Sequence, residues 1–270
     1  MALGLRDIRP KIATEVTTDA ATLLSGRHAA ELRSLLERRG VLVFPKINLT
    51  DQQQLAFAHT LGEVIEQGEG GIFKVTLDPK QNAMAAYLAG TVLWHLDGWG
   101  DDVPTKASLL SARAISPIGG QTEFANAYAG YEELSAERQR ELEALRILHT
   151  MEATLHDVFP DADEQQRADW EAFAKRVHPL VWAHRSGRKS LVLGSSAADV
   201  VGMSEAAGRA LIAELLAWTT QPDFVYRHEW SVGDLVIWDN TGVMHRVEAY
   251  PADSGRMMHR TTLVGEEPIA

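Results

Sequence analysis

The segment Trp94-His95-Leu96-Asp97 decides how this sequence is interpreted. In an extended chain, residues at i and i+2 point to the same side, so His95 and Asp97 are expected to face one point. A further histidine, His245, follows Asp239 and Asn240 near the end of the chain. Two imidazoles and one carboxylate are the ligands of a facial triad, which binds non-haem Fe(II) and leaves the remaining coordination positions open.

These three residues alone do not establish a metal site. A histidine and an aspartate two positions apart occur by chance, and an isolated histidine is often a hydrogen-bonded structural residue. A metal site would also require the fold to bring His245 next to a segment that is remote from it in sequence. The rest of the sequence has to decide between the two interpretations.

The composition is that of an ordinary globular protein. The chain has 270 residues, of which 45% are hydrophobic and 23% are charged. A chain of this length can form one large domain or two small ones. Because no linker divides it, we expect one domain spanning residues 1–270. It contains no cysteine, which excludes disulfides and thiolate metal sites.

Charge and hydrophobic patterning limit the partners. The net charge of −11 argues against nucleic-acid binding, which requires a basic stripe. The first residues carry several charges and no apolar core of a signal peptide, and no apolar run approaches the roughly 18 residues of a membrane span. The sequence therefore predicts a cytoplasmic protein without membrane contact.

The hydrophobic pattern predicts many short strands separated by turns, with helices outside them. Helices are expected at 27–39, 50–61, 131–149, 161–177 and 204–218. Strands are expected at 41–44, 92–97, 106–114, 178–182, 190–193, 224–230, 235–238 and 257–264. Strands and helices do not alternate as in a doubly wound sheet, and no GxGxxG or P-loop motif occurs. We expect a mainly β protein with flanking helices and a double-stranded β-helix (jelly-roll) core.

Several further segments, in order and at similar spacing, resemble one family. They are Trp94–Asp97, Pro117–Phe124, His178–Leu180 with Gly187–Leu191, and Gly233–Asn240 continuing through His245 to Arg260. Together they resemble the taurine dioxygenase / 2,4-dichlorophenoxyacetate dioxygenase (TauD/TfdA) family of Fe(II)- and 2-oxoglutarate-dependent oxygenases. The resemblance runs from about Gly40 to Val264.

The resemblance implies a role for each of seven residues. His95, Asp97 and His245 would be the catalytic iron ligands, and the carboxylate of Asp97 argues against a halogenase. Arg256 and Thr122 would hold the distal carboxylate of 2-oxoglutarate. Arg260 and Gly98 would contact the substrate. Taken alone, Arg256 is more simply a surface ion pair and Thr122 a packed strand residue. Arg260 could also be a structural ion pair, and Gly98 a turn residue.

The function implied by this resemblance is that of a dioxygenase with Fe(II) as cofactor and 2-oxoglutarate and O₂ as co-substrates. It would hydroxylate an unactivated C–H bond of a small anionic substrate and release succinate and CO₂. Hydroxylation beside a heteroatom would lead to C–O, C–S or C–N cleavage. Family members are often dimers or tetramers, so a homo-oligomer is expected.

Two alternatives and one departure remain. The same ligands would suit a non-catalytic jelly-roll sensor or carrier, or a zinc hydrolase. Taurine-type members of the family hold the sulfonate with a histidine from the loop before the HxD motif. Residues 60–94 contain no histidine, and Glu63, Glu66 and Glu69 lie there instead. Taurine is therefore disfavoured as the substrate.

Overall fold

The computed structural model describes residues 2–173 and 175–270, without the side chains of residues 86, 87, 89 and 157. The fold is a mixed α/β arrangement with several sheets. The strands are β1 (Gly4–Asp7), β2 (Thr14–Thr17), β3 (Val41–Phe44), β4 (Phe73–Val75), β5 (Ala107–Ala114), β6 (Thr122–Asn126), β7 (Arg146–Thr150), β8 (Lys175–Pro179), β9 (Val181–Ala183), β10 (Lys189–Leu191), β11 (Ala197–Val200), β12 (Val225–His228), β13 (Leu235–Asp239), β14 (Val243–Val247) and β15 (Met257–Thr262). The α-helices are α1 (Ala20–Leu24), α2 (Ala29–Arg39), α3 (Asp51–Leu61), α4 (Ala85–Leu88), α5 (Ala127–Glu132), α6 (Ala136–Glu143), α7 (Met151–Val158), α8 (Glu164–Glu171) and α9 (Glu205–Thr219), with 3-10 helices at Ala89–Val92 and Pro222–Phe224.

The largest sheet has the strand order β1-β2-β3-β13-β5-β15-β4. Its pairs are antiparallel except for β2 and β3. Strand β13 lies near its centre and is buried along its whole length, which explains why Leu235–Trp238 is uniformly apolar. Leu235 and Ile237 pack with α2 and α3, whereas Val236 and Trp238 pack on the opposite face.

A second sheet, β12-β6-β14, covers that opposite face. Phe124, Tyr226 and Val243 from this sheet pack against Val236 and Trp238 of the large sheet. The other face of β6 and β14 contacts a further apolar cluster that includes residues of β7, β9, β10 and α9. The strand β6 is thus enclosed between two layers, and its first residue is Thr122.

Several local predictions are confirmed. Helix α2 ends at Gly40, which has a φ of 70° that favours glycine. Helix α3 begins with the predicted capping box, in which Thr50 and Gln53 each bond the other's backbone N–H. Strands β3 and β13 lie where they were predicted, and β9 pairs with β10 as a hairpin.

Three predicted elements differ from the structure. Residues 92–97 do not form a strand, because their backbone pairs only through the isolated bridge between His95 and His245. The single helix predicted at 131–149 is wrong. The structure has α5, which ends at Glu132, and α6, which ends at Glu143. Arg146–Thr150 forms β7, because its residues pair with both β8 and β11. The helix predicted at 161–177 is limited to Glu164–Glu171; Ala174 lies outside the described residues, and 175–177 belong to β8.

In the part of the chain that the structure describes, no helix has both the length and the apolar composition needed to cross a membrane.

Candidate metal centre

The two histidines that the sequence singled out are joined by their backbones. The amide of His95 donates to the carbonyl of His245 at 3.0 Å, and the amide of His245 donates back at 2.9 Å. This bridge brings the imidazole ring centroids to 4.1 Å. The segments carrying the two histidines, far apart in sequence, therefore meet as predicted.

Asp97 completes the cluster. Its Oδ1 lies 4.0 Å from Nε2 of His95, and its Oδ2 lies 3.7 Å from Nε2 of His245. One ligand atom from each of the three residues lies within 4.8 Å of the others. Metal bonds of about 2 Å require ligand atoms roughly 3 to 4 Å apart, so these donors fit a single divalent ion with little adjustment.

The protonation of the histidines suits metal binding. Nδ1 of His95 lies 2.8 Å from the carbonyl of Leu93, so this nitrogen carries the proton and Nε2 is free to bind a metal. Burial, aided by the neighbouring His95, lowers the pKa of His245 to about 3. His245 is therefore neutral at physiological pH, as a metal ligand must be.

Asp97 is held in its ionised form. Burial by itself would raise the pKa of this carboxyl, but the electrostatic influence of His245, Arg260 and His95 outweighs it, so the pKa lies below its usual range. Nη1 of Arg260 is 3.7 Å from Oδ2 of Asp97. The arginine thus reaches the immediate surroundings of the metal ligands, and a carboxylate is available for coordination.

A cavity of about 210 Å³ opens beside the cluster. Its walls combine the cluster with apolar side chains and a few polar groups. The lining residues are Val75, Leu88, Thr91, His95, Asp97, Leu110, Thr122, Trp238, His245, Arg246, Val247, Tyr250, Arg256 and Arg260. The predicted site residues therefore meet around one cavity, with the exception of Gly98.

Arg256 is buried in this cavity wall with 4% of its surface exposed. Among the described residues it has no ion pair, and its guanidinium packs on the ring of Tyr250 at 4.8 Å. Burial lowers the pKa of Arg256, although arginine still remains charged. A buried cation without a carboxylate partner is the expected form of a binding site for an anion.

Gly120 makes room for this arginine. Gly120 has a φ of 82°, and a Cβ at this position would lie 3.0 Å from both Cδ and Nε of Arg256. Any larger residue would therefore displace the guanidinium. This gives a physical reason for the glycine pair in the segment Pro117–Phe124.

Thr122 faces the same cavity from the start of β6 and is 4% exposed. Its Oγ1 accepts a hydrogen bond of 3.0 Å from Nε1 of Trp230. Gly98 lies outside the described cavity lining. It has a φ of 79°, and a Cβ there would lie 2.9 Å from the backbone nitrogen of Thr105, which accounts for glycine in this turn. A contact between Gly98 and substrate stays a prediction.

Sequence reasoning missed several residues of the site. Arg246 lines the cavity and donates from Nε to Glu123 at 2.6 Å, and Tyr250 packs on Arg256. Arg246 and Glu123 directly follow His245 and Thr122 in the sequence, and they are opposite one another in the pairing of β14 with β6. Their opposite charges next to motif residues were the available signal. No sequence signal pointed to Trp230, because its contact with Thr122 depends on the tertiary fold.

Comparison with known proteins places this geometry in a family. Residues 5–262 match the model of the family described as taurine catabolism dioxygenase TauD, TfdA family. The chain is 36% identical, over 100% of both proteins, to the alpha-ketoglutarate-dependent 2,4-dichlorophenoxyacetate dioxygenase of Cupriavidus pinatubonensis. It is 30% identical to the (S)-phenoxypropionate/alpha-ketoglutarate-dioxygenase of Sphingobium herbicidovorans, covering 84% of this chain and 82% of that one.

A solved structure agrees with these relatives. The crystal structure of AAD-2 in complex with Mn(II) and N-oxalylglycine aligns with a TM-score of 0.86 and 35% identity over 100% of both chains. The family match covers nearly the whole sequence, and the His95, Asp97 and His245 cluster supplies a fitting metal site. The chain therefore belongs to the TauD/TfdA family and is an alpha-ketoglutarate-dependent (2-oxoglutarate-dependent) dioxygenase.

Proposed function

We propose that this enzyme hydroxylates a small organic anion, with an aryloxyalkanoate as the first candidate. The relatives named for 2,4-dichlorophenoxyacetate and (S)-phenoxypropionate, which are both aryloxyalkanoates, support this choice. The observation that carries the proposal is Arg260. It is one of three arginines that line the cavity, with Arg246 and Arg256. Arg246 is paired with Glu123, whereas Arg260 lies 3.7 Å from the metal ligand Asp97.

The position of Arg260 suits an acidic substrate. Its side chain is 23% exposed, and its guanidinium packs over the ring of Phe73 at 5.0 Å. The apolar residues Val75 and Leu88 line the same cavity and would contact the uncharged part of the substrate. A carboxylate bound to Arg260 would place the carbon next to it close to the metal site.

Each of the other residues has a distinct task. His95, Asp97 and His245 would hold Fe(II), and Arg256 and Thr122 would hold the distal carboxylate of 2-oxoglutarate. When bound, iron and 2-oxoglutarate supply the oxidising chemistry, in which O₂ is consumed and succinate and CO₂ are released. The segment 66–90 contributes Val75 and Leu88 to the cavity and is proposed as a lid that excludes water.

The position of the attacked carbon determines the product. An aryloxyalkanoate carries an ether oxygen on the carbon beside its carboxylate. Hydroxylation of that carbon gives a hemiacetal, which breaks its C–O bond to release a phenol and a keto or aldehyde acid. A substrate without a heteroatom at that carbon would leave as a stable alcohol.

We also propose that the chain forms one domain with a double-stranded β-helix core. The large sheet and the sheet β12-β6-β14 enclose the apolar cluster around Phe124 and Trp238, which supports a double-stranded β-helix core. One domain over residues 1–270 is consistent with the sheets that run from β1 to β15. A cytoplasmic location, a dimer or tetramer, and the absence of nucleic-acid partners stay predictions from the sequence, open to fractionation, sedimentation and binding measurements.

Anaerobic titration with Fe(II) and 2-oxoglutarate tests the site. A weak visible charge-transfer band should appear in the wild type and be absent in His95→Ala and Asp97→Ala. Arg256→Gln should keep the band but require more 2-oxoglutarate. A band that persists in both ligand variants would contradict the assignment.

Succinate formation across carboxylates, sulfonates, sulfate esters and amino acids tests the substrate class. Aryloxyalkanoates should give substrate-dependent succinate with release of the phenol. Arg260→Gln should raise the KM for the acid about tenfold or more, because a charge-assisted bond is lost. The exposed Arg209→Gln serves as the control with unchanged KM. Activity confined to uncharged substrates would overturn the proposal.

A further inference from the structure

Trp230 is hydrogen-bonded to the hydroxyl of Thr122. Its Nε1 donates to Oγ1 of Thr122 at 3.0 Å, across a separation of 108 residues. Thr122 is buried and faces the cavity, whereas Trp230 is outside the described cavity lining. The indole therefore contacts Thr122 without lining the cavity itself.

The chemistry of this bond restricts what Thr122 can do. An indole N–H can only donate, and a threonine hydroxyl offers one donor and two acceptor positions. Because one acceptor position is occupied by Trp230, the hydroxyl proton is directed elsewhere. The arrangement favours a hydroxyl that donates into the cavity, where an anionic acceptor beside Arg256 would receive it.

The indole itself is firmly placed. Its ring packs edge-to-face on His228 at 4.4 Å. His228 is in turn held by Asp234 through Nε2 at 3.2 Å and by the hydroxyl of Tyr226 through Nδ1 at 2.7 Å. Asp234 also accepts backbone hydrogen bonds from Lys46 and Ser231. Because the indole of Trp230 is already held in place, little conformational entropy is lost there when the co-substrate binds.

We propose that Trp230 is a positioning residue for 2-oxoglutarate, which orients the hydroxyl of Thr122 toward the distal carboxylate of the co-substrate. This inference rests on the proposed role of Thr122 and Arg256. Trp230 acts through Thr122 and does not itself touch the co-substrate. Its contribution therefore depends on the presence of the threonine hydroxyl.

The test measures 2-oxoglutarate binding rather than turnover. The Kd is determined by anaerobic calorimetry on the Mn(II)-loaded protein for the wild type, Trp230→Phe, Thr122→Val and the double variant. Trp230→Phe keeps an aromatic ring and removes the donor, and it should raise the Kd about 3- to 10-fold. Thr122→Val should raise it by at least as much. In the double variant, Trp230→Phe should add no further increase.

Two controls separate a specific effect from a general one. Trp218→Phe removes an indole donor that bonds the carbonyl of Gly130 at 2.7 Å. Both residues are outside the described cavity lining, so this variant should leave the Kd unchanged. The affinity for Mn(II) should stay within about twofold in all variants. If Trp230→Phe does not fold, benzothienylalanine introduced at position 230 keeps the bicyclic ring and lacks the N–H.

The outcomes distinguish this inference from the proposed function. If neither Thr122→Val nor Arg256→Gln changes the Kd, the proposed co-substrate site is wrong. If both raise the Kd but loss of the Trp230 donor does not, the positioning role alone is overturned. It is likewise overturned if Trp230→Phe raises the Kd equally when Thr122 is absent.

Discussion

The guanidinium carbon of Arg246 lies 4.7 Å from the centroid of the Trp94 indole ring. The same side chain donates to Glu123 from Nε. Trp94 precedes His95, Glu123 follows Thr122, and Arg246 follows His245 in sequence. Arg246 therefore connects the three segments that carry His95, His245 and the hydroxyl of Thr122.

Removal of this connection should loosen the metal site. In Arg246→Gln we expect the free energy of unfolding to fall by about 1 kcal/mol, because a partly exposed ion pair and a cation–π contact are lost. The affinity for Mn(II) should also fall several-fold. Urea unfolding and metal titration measure the two effects. Arg209→Gln, which removes only an exposed pair with Glu205, should change neither; equal losses in both variants would contradict the prediction.

Gly194 should tolerate no side chain. Its φ is 136°, and a Cβ would lie 3.1 Å from Cα of His95 and 3.2 Å from the carbonyl oxygen of Trp94. Gly194→Ala should displace His95 and weaken Mn(II) binding about tenfold or more, with a stability loss of about 1–3 kcal/mol from backbone strain. Gly187→Ala is the matched control, because Gly187 has a φ of 88° and no atom near the added methyl. It should show the stability loss but normal metal binding.

The buried His149 should make the protein sensitive to mild acid. It has 0% exposure, and burial, aided by the nearby His178, lowers its pKa to about 3. In the unfolded chain its pKa is about 6.5. Between these values the unfolded chain takes up a proton that the folded protein does not, so stability is present above about pH 6.5 and is lost as the pH falls.

The contribution of this one histidine is at most about 1.4 kcal/mol per pH unit. Urea unfolding between about pH 6 and pH 4 measures it. His149→Gln should show a shallower decline of stability with acid than the wild type. Identical slopes for the wild type and His149→Gln would refute the prediction.

A lysine at position 256 should not substitute for the guanidinium of Arg256 in binding 2-oxoglutarate. Arg256→Lys keeps a cation in the cavity wall but loses the planar, two-pronged donor and the packing on Tyr250. We expect the Kd of 2-oxoglutarate to rise about tenfold or more. Anaerobic calorimetry with Mn(II) present measures it, and Arg113→Lys, outside the described cavity lining, is the control. A lysine variant with wild-type affinity would mean that Arg256 acts only through its charge.

The metal ligands could be predicted because several segments together resemble one family, with the spacing of His95 and Asp97 as geometric support. His95 and Asp97 do meet in the structure, although the strand predicted for them is replaced by a single bridge between His95 and His245. Strand β13 could also be predicted from the sequence, since a continuous apolar run is characteristic of a strand buried on both faces.

The remaining features depend on contacts between remote segments. Residues 146–149 were predicted as helix because their partners in β8 and β11 lie elsewhere in the sequence. Trp230 was assigned only to a strand, since its bond to Thr122 spans 108 residues. Local propensity and spacing carry no information about such pairs, whereas the tertiary fold decides them.

The reciprocal backbone bridge between His95 and His245 has a practical consequence. It holds two of the three ligands in register through amide and carbonyl groups that do not involve the ion. Folding of this enzyme should therefore not depend on iron, unlike that of a zinc finger. Chelated protein should remain native and accept a different divalent ion on dialysis, so that one preparation can be compared with a reactive and an inert metal.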